Sequence, residues 1–183
     1  MSQYFLFPLT FGLAGLLARG LAVLVMLGSA SLGATEYKVS TQEEYRQRSA
    51  DLAPGDVVVL ANGTWKDFEV LFEGRGTEGQ PITLTAEEKG KVILSGQSSL
   101  RLAGEHLLVS GLVFKDGYTS TSEVISFRTS KEELANNSRV TNTVIDNFSN
   151  PERYDTDTWV ALYGKNNRFV HNSLIGKGNR GVT

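Results

Sequence analysis

The chain has 183 residues, with 18 Lys and Arg against 20 Asp and Glu and 40% hydrophobic residues, which suits one domain with a substantial core. A net charge of −2 excludes a general nucleic-acid binder, since such binding rests on Lys and Arg contacts to phosphate, and the absence of cysteine excludes disulfide staples, thiolate catalysis and cysteine-held zinc. Nineteen glycines against four prolines favour a turn-rich β protein over a helical bundle, because glycine interrupts helices and permits positive φ at corners.

Residues 4–17 and 21–27 are almost wholly apolar, with Arg19 between them and Gly28, Ser29, Ala30 and Ser31 after them. Residues 1–34 read as a secretory signal cleaved between Ala30 and Ala34. The mature chain is then expected to be periplasmic or secreted, with no stable membrane association. The alternative is an uncleaved anchor, but Arg19 near the middle of such a span would cost about 2.5–3.5 kcal/mol.

Residues 35–183 read as one domain. Residues 36–52 are expected to form a short helix, with Ser40 and Thr41 as cap, Glu43 and Glu44 in the first turn, and Tyr45 and Leu52 on one face. A helix leading directly into strands suits the end cap of a repeat solenoid. After Pro54-Gly55-Asp56 come brief apolar runs at 57–60, 68–72, 82–86, 92–95, 100–103, 107–109, 112–114, 124–127, 140–145, 159–163 and 169–175. Most are separated by Gly, Asn, Asp or Ser, with no amphipathic helix between them.

A repeat decides among the all-β architectures. Val109-Ser110-Gly111-Leu112-Val113-Phe114 aligns with Val140-Thr141-Asn142-Thr143-Val144-Ile145, and that with Val170-His171-Asn172-Ser173-Leu174-Ile175. Upstream, residues 123–127 align with 159–163. Each unit holds three strands and a corner, which predicts an all-β, right-handed parallel β-helix with a short N-terminal capping helix. Stacking on this alignment places Val140 on Val170, Val144 on Leu174 and Asn142 under Asn172, with the asparagines turned inward and bonded to each other and to backbone.

Candidate chemistry is sparse. His171 reads as an exposed loop histidine and His106 as the start of a short apolar run, and Asp155 and Asp157 read as solvated loop carboxylates rather than a catalytic or calcium-binding pair. Arg128 and Arg153 read as charges at strand ends or loops. The last segment, residues 159–183, has no acid but carries Lys165, Arg168, Lys177 and Arg180. Two glycine-rich turns here, Tyr163-Gly164-Lys165-Asn166-Asn167 and Gly176-Lys177-Gly178-Asn179-Arg180-Gly181, set cations beside amides. On successive turns of a solenoid such residues would line a groove for sugar hydroxyls and carboxylates, against which Tyr163 could lie; solvated turns are the plainer reading.

The stretches Leu60-Ala61-Asn62-Gly63-Thr64-Trp65, Gly79-Gln80-Pro81-Ile82-Thr83-Leu84, Val109-Ser110-Gly111-Leu112-Val113-Phe114 and Trp159-Val160-Ala161-Leu162-Tyr163-Gly164-Lys165 resemble the N-terminal part of the polysaccharide lyase family that contains alginate lyases and chondroitinase B. The resemblance continues through residues 176–183 and covers nearly all of 35–183. It implies eliminative cleavage of uronate polymers, in which calcium neutralises the substrate carboxylate, a lysine removes the C5 proton and an arginine assists the leaving oxygen.

The family's calcium-binding Asn and Glu and its catalytic Lys and Arg belong to later coils, and the chain shows no counterpart of them. No catalytic or metal residue is therefore assigned here. Tyr163, Lys165, Lys177 and Asn179 match the family's first groove-lining turns and are the expected substrate contacts. The expected partner is an acidic polysaccharide, alginate first, or a chondroitin- or dermatan-type glycosaminoglycan. The chain is expected to be the truncated N-terminal portion of an exported lyase, inactive alone, with its last coil an open sheet edge prone to aggregation. The alternative is a non-catalytic β-helical module that binds an acidic polysaccharide or serves as an adhesin.

Overall fold

The computed structural model describes residues 1, 33–152 and 154–180. Most of the expected signal (residues 2–32), Arg153 and residues 181–183 lie outside the described residues. The domain begins with β1 (Glu36–Val39) and α1 (Gln42–Ser49), and continues through β2 (Val57–Leu60), β3 (Gly63–Lys66), β4 (Glu69–Arg75), β5 (Ile82–Ala86), β6 (Val92–Gln97) and β7 (Ser99–Glu105). Then follow β8 (Leu107–Ser110), β9 (Leu112–Tyr118), β10 (Glu123–Ser126), β11 (Ala135–Asn136), β12 (Arg139–Thr141), β13 (Val144–Asp146), β14 (Thr158–Ala161), β15 (Arg168–Val170) and β16 (Ser173–Ile175).

These strands make three parallel sheets. Sheet I runs β1-β2-β5-β8-β12-β15, sheet II runs β3-β6-β9-β13-β16, and sheet III joins β4, β7, β10 and β14, with β11 on β7. The chain visits the sheets in the same order each time, giving a parallel β-solenoid of about four turns. Parallel crossovers of this kind are right-handed because of strand twist. Among the described residues, no helix is long and apolar enough to cross a membrane.

The core is a set of stacked columns, one inward residue per turn. Val58, Leu84, Val109, Val140 and Phe169 stack in sheet I. Trp65, Leu94, Phe114, Ile145 and Leu174 stack in sheet II, and Val70, Leu100, Ile125 and Val160 in sheet III. The members from the first three turns of every column are buried. Each fully buried Val, Leu, Ile or Phe contributes about 1.5–3 kcal/mol relative to exposure, so repetition of a two-residue alternation builds the domain.

Residues 36–39 form a strand rather than the start of the helix, pairing Glu36 to Val57 and Val39 to Leu60. The helix starts only at its N-cap, Thr41, whose side chain accepts from the Glu44 amide at 3.1 Å while the Glu44 carboxylate accepts from the Ser40 amide at 2.7 Å. This reciprocal pair satisfies two backbone donors.

The stacking register of the last coil also differs. Val140 lies on Phe169, Val144 on Ser173 and Ile145 on Leu174, one residue away from the alignment on Asn142 and Asn172. Asn142 instead sits level with His171, and both take the left-handed conformation, with φ of 51° and 57°. The corner geometry sets the register, and a one-residue slip would turn every inward side chain outward. Likewise, β10 pairs Glu123 with Thr158, so Val124 rather than Glu123 sits level with Trp159.

Asn142 is exposed, and Asn172 bonds the neighbouring coil rather than another asparagine. Its Oδ1 accepts from the Thr143 amide at 2.8 Å and its Nδ2 donates to the Val140 carbonyl at 3.0 Å. Asn167 repeats this clip on Ser138 and Ala135. Each side-chain amide thereby satisfies one backbone donor and one acceptor that the corner leaves unpaired.

Helix α1 caps the first turn through Tyr45, which is buried edge-on to Phe68 at 5.2 Å and donates its hydroxyl to the Leu71 carbonyl at 2.8 Å. Burial pushes this phenol far above its ordinary value, with the charge of Glu73 adding to the effect. The raised value is a property of the folded state, so the associated stabilisation is full below pH about 10 and is lost as pH rises beyond it. The urea midpoint of the wild type should therefore fall more steeply above pH about 10 than that of Tyr45→Phe. At neutral pH, Tyr45→Phe should cost about 0.5–1.5 kcal/mol for the lost hydrogen bond.

Candidate functional site

The expected contact residues flank the last strand of sheet III. Tyr163 and Lys165 lie in the turn from β14 to β15, and Lys177 and Asn179 follow β16. Gly164 permits the first turn: its φ is +75°, and a Cβ there would lie 2.0 Å from the Ala135 carbonyl oxygen. The Lys165 amide donates to Asn136 Oδ1 at 2.9 Å, which fixes the turn and leaves the Lys165 side chain exposed.

Tyr163 is half-buried in a polar cluster that the sequence reading missed. Its hydroxyl donates to Glu123 Oε1 at 2.5 Å, and the Arg128 guanidinium lies over its ring at 3.7 Å from the centroid. Arg128 also pairs with Glu123 at 3.2 Å, and Ser126 donates to the other carboxylate oxygen. The hydrogen bond to the Glu123 carboxylate, followed by desolvation, raises the Tyr163 pKa, so the phenol stays a neutral donor. Arg128 is thus part of a built platform rather than a loose strand-end charge. Glu123 and Tyr163 are 40 residues apart and meet only because one coil stacks on the next.

Lys177 departs from the expected outward position. Its ammonium is paired with Asp157 and donates to Asn179 Oδ1 at 2.8 Å, with the two charged side chains only 10% and 4% exposed. It also lies 5.4 Å from the Trp159 ring centroid. Asn179 is likewise turned inward, donating to the Asp155 carbonyl at 3.0 Å. Asp157 is buried, not solvated, and its burial is offset by the Lys177 charge and by hydrogen bonds. Lys177 and Asn179 therefore tie the turn after β16 to the loop ahead of β14, while Lys165 is the member of the expected set that presents its charge to solvent.

Calcium requires about six to eight oxygen ligands. The carboxylates nearest these turns do not offer them: Glu123 faces Arg128 and Tyr163, and Asp157 faces Lys177. Among the described residues, no group of three or more His, Asp or Glu could hold a metal. The donor set here does not fit calcium, and no step is assigned through it.

A second surface was not foreseen. A groove of about 590 Å³ runs along the start of sheet I, lined by Pro81, Leu108, Asn137, Arg139, Asn166 and Arg168 among others. The nearest signal for it in the sequence is the pair of Asn-x-Arg triplets at 137–139 and 166–168.

Comparisons with known proteins agree with this architecture. The chondroitinase B family model matches residues 39–183. The solved structure of the PL6 family alginate lyase AlyGC is 62% identical, with a TM-score of 0.80, covering 81% of this chain and 20% of that one. The PL6 family polysaccharide lyase Pedsa3628 from Pseudopedobacter saltans is 33% identical, with a TM-score of 0.71, covering 78% of this chain and 32% of that one. A mannuronic acid specific family 6 lyase from human gut microbiota is also 33% identical, with a TM-score of 0.67, over 74% and 32% of the two chains. No curated protein matches. The chain thus spans a fifth to a third of the length of these solved relatives. With its stacked parallel coils and a family match across most of its length, the chain belongs to the chondroitinase B family of polysaccharide lyases.

Proposed function

We propose that this chain forms the first coils of an exported lyase that cleaves uronate polymers, alginate first among them, by calcium-assisted β-elimination. The observation that carries this reading is the 62% identity to an alginate lyase across 81% of the chain. Elimination needs a base to take the C5 proton as the C4–O4 bond breaks and the leaving oxygen is protonated, which yields an unsaturated uronate. The catalytic residues and calcium ligands are proposed to lie in coils beyond residue 183. Consistent with further coils, Leu162 and Leu174, on the inward side of the last described turn, are 55% and 37% exposed.

In this reading, the described coils hold substrate rather than transform it. Lys165 offers a mobile cation to a substrate carboxylate, and Tyr163, held by Glu123 and Arg128, offers a ring face to a sugar. Lys177 and Asn179 act by positioning the wall, since their polar groups are already bonded within the protein. The test is ultraviolet absorbance of alginate incubated with calcium and either this chain or the protein encoded by the uninterrupted reading frame. Product should accumulate only with the longer protein. Product from residues 1–183 alone, or none from the longer protein on any uronate polymer, overturns the proposal.

A further inference from the structure

We propose that the outer face of sheet I carries a second acidic-saccharide site, centred on Arg139 and Arg168 and separate from the turns around Tyr163 and Lys165. The two arginines are direct register partners on β12 and β15, so their backbones stand one strand spacing apart, about 4.8 Å. Both are exposed, and neither guanidinium has an ion-pair or hydrogen-bond partner among the described residues. Like charges side by side on neighbouring strands repel unless an anion lies between them. In the earlier turns the same column holds Glu36 and then the neutral Val57, Thr83 and Leu108, with no cation before Arg139, so the cation pair is a local addition and not a consequence of the repeat.

The surroundings match a sugar acid better than a simple anion. Asn166 donates to Asn137 at 3.1 Å, and Asn137 donates on to Glu105 at 3.0 Å. This ladder is held at corners whose left-handed φ values are 57° and 50°, and both amides line the groove. Pro81 and the half-buried Leu108 supply an apolar floor beside the arginines. A carboxylate on the stacked guanidiniums, ring hydroxyls on the amides and the apolar ring face on the floor together describe a uronate chain. Glu78 also lines the groove, and its like charge would bias the anionic groups of a ligand toward the arginines. The volume of about 590 Å³ is in the range of small-ligand sites.

The ligand class rests on the lyase reading, whereas the location rests on the groove. The test is calorimetric titration of the full chain with an oligomannuronate and an oligoguluronate, with a neutral mannose oligosaccharide as comparison. At least one uronate should bind, more weakly as salt rises. Arg139→Gln combined with Arg168→Gln should lower that affinity by about ten-fold or more. Removing the same charge at two exposed sites elsewhere, Lys89→Gln with Lys131→Gln, should change it less than about two-fold. Equal binding of the neutral sugar, no uronate binding, or an unaltered affinity in the arginine variant overturns the site. Product formation by the uninterrupted protein is measured in parallel. Product with unaltered affinity rejects this site and leaves the lyase reading intact; arginine-dependent binding without product does the reverse.

Discussion

Replacing Gly104 with alanine should destabilise the domain by about 4 kcal/mol, a large part of the roughly 5–15 kcal/mol that holds a domain folded. Gly104 stands in β7 opposite Gly74 of β4, and its φ is +115°. A Cβ there would lie 1.9 Å from the Gly74 carbonyl oxygen, a backbone atom that cannot move without breaking the pairing of the two coils. The backbone conformation alone costs an L side chain about 1–3 kcal/mol, and forced overpacking a further 1–3 or so. Gly63 separates the two effects: its φ is +137°, but nothing lies within 4 Å of a Cβ built there. Gly63→Ala should therefore lose only the conformational part. Urea midpoints followed by circular dichroism would decide, and equal losses at the two sites would refute the steric account.

Asp157→Asn should cost about 3–5 kcal/mol, because it leaves the buried Lys177 ammonium without a counter-charge. The remaining partner, Asn179 Oδ1 at 2.8 Å, is neutral and cannot replace it. Removing both charges with Asp157→Asn and Lys177→Met should restore most of the loss, since replacing a buried ion pair by apolar volume is often nearly neutral. The local readout is the Trp159 indole, which donates to the Phe148 carbonyl at 2.8 Å beneath the same loop. Its amide-type proton should lose exchange protection in the single variant and regain it in the double variant. If the single variant kept wild-type stability, Lys177 would have to be free for ligand, as its sequence context suggested.

The alternating run 82–86 became a strand because its inward residues can be buried only on a neighbouring coil, and the wholly apolar run 57–60 did so with three of its four residues buried. Runs as short as β3 and β11 escaped notice: Gly63-Thr64-Trp65-Lys66 and Ala135-Asn136 carry too few apolar residues to declare a period. The coil register was misread because matching Asn142 with Asn172 maximises residue identity, whereas the fold matches conformation and places His171 at the left-handed corner. Asparagine and histidine are both enriched among the non-glycine residues that adopt that conformation, so the corner accepts either.

The candidate site divides in the same way. Lys165 and Lys177 look alike in sequence, each following a strand and a glycine. Only stacking shows that Lys177 meets Asp157 across 20 positions while the Lys165 side chain stays exposed. The Glu123–Arg128–Tyr163 cluster and the Arg139–Arg168 pair are products of adjacent coils lying in register.

By itself, the sequence determined the class of fold, the capping helix, the solenoid repeat and the lyase family, because these depend on periodicity and on ordered motifs along the chain. The tertiary structure alone decided which charges are matched and which face solvent. Neighbours in a β-solenoid are set by strand spacing between coils, and a shift of a single residue exchanges the inside of a strand for its outside.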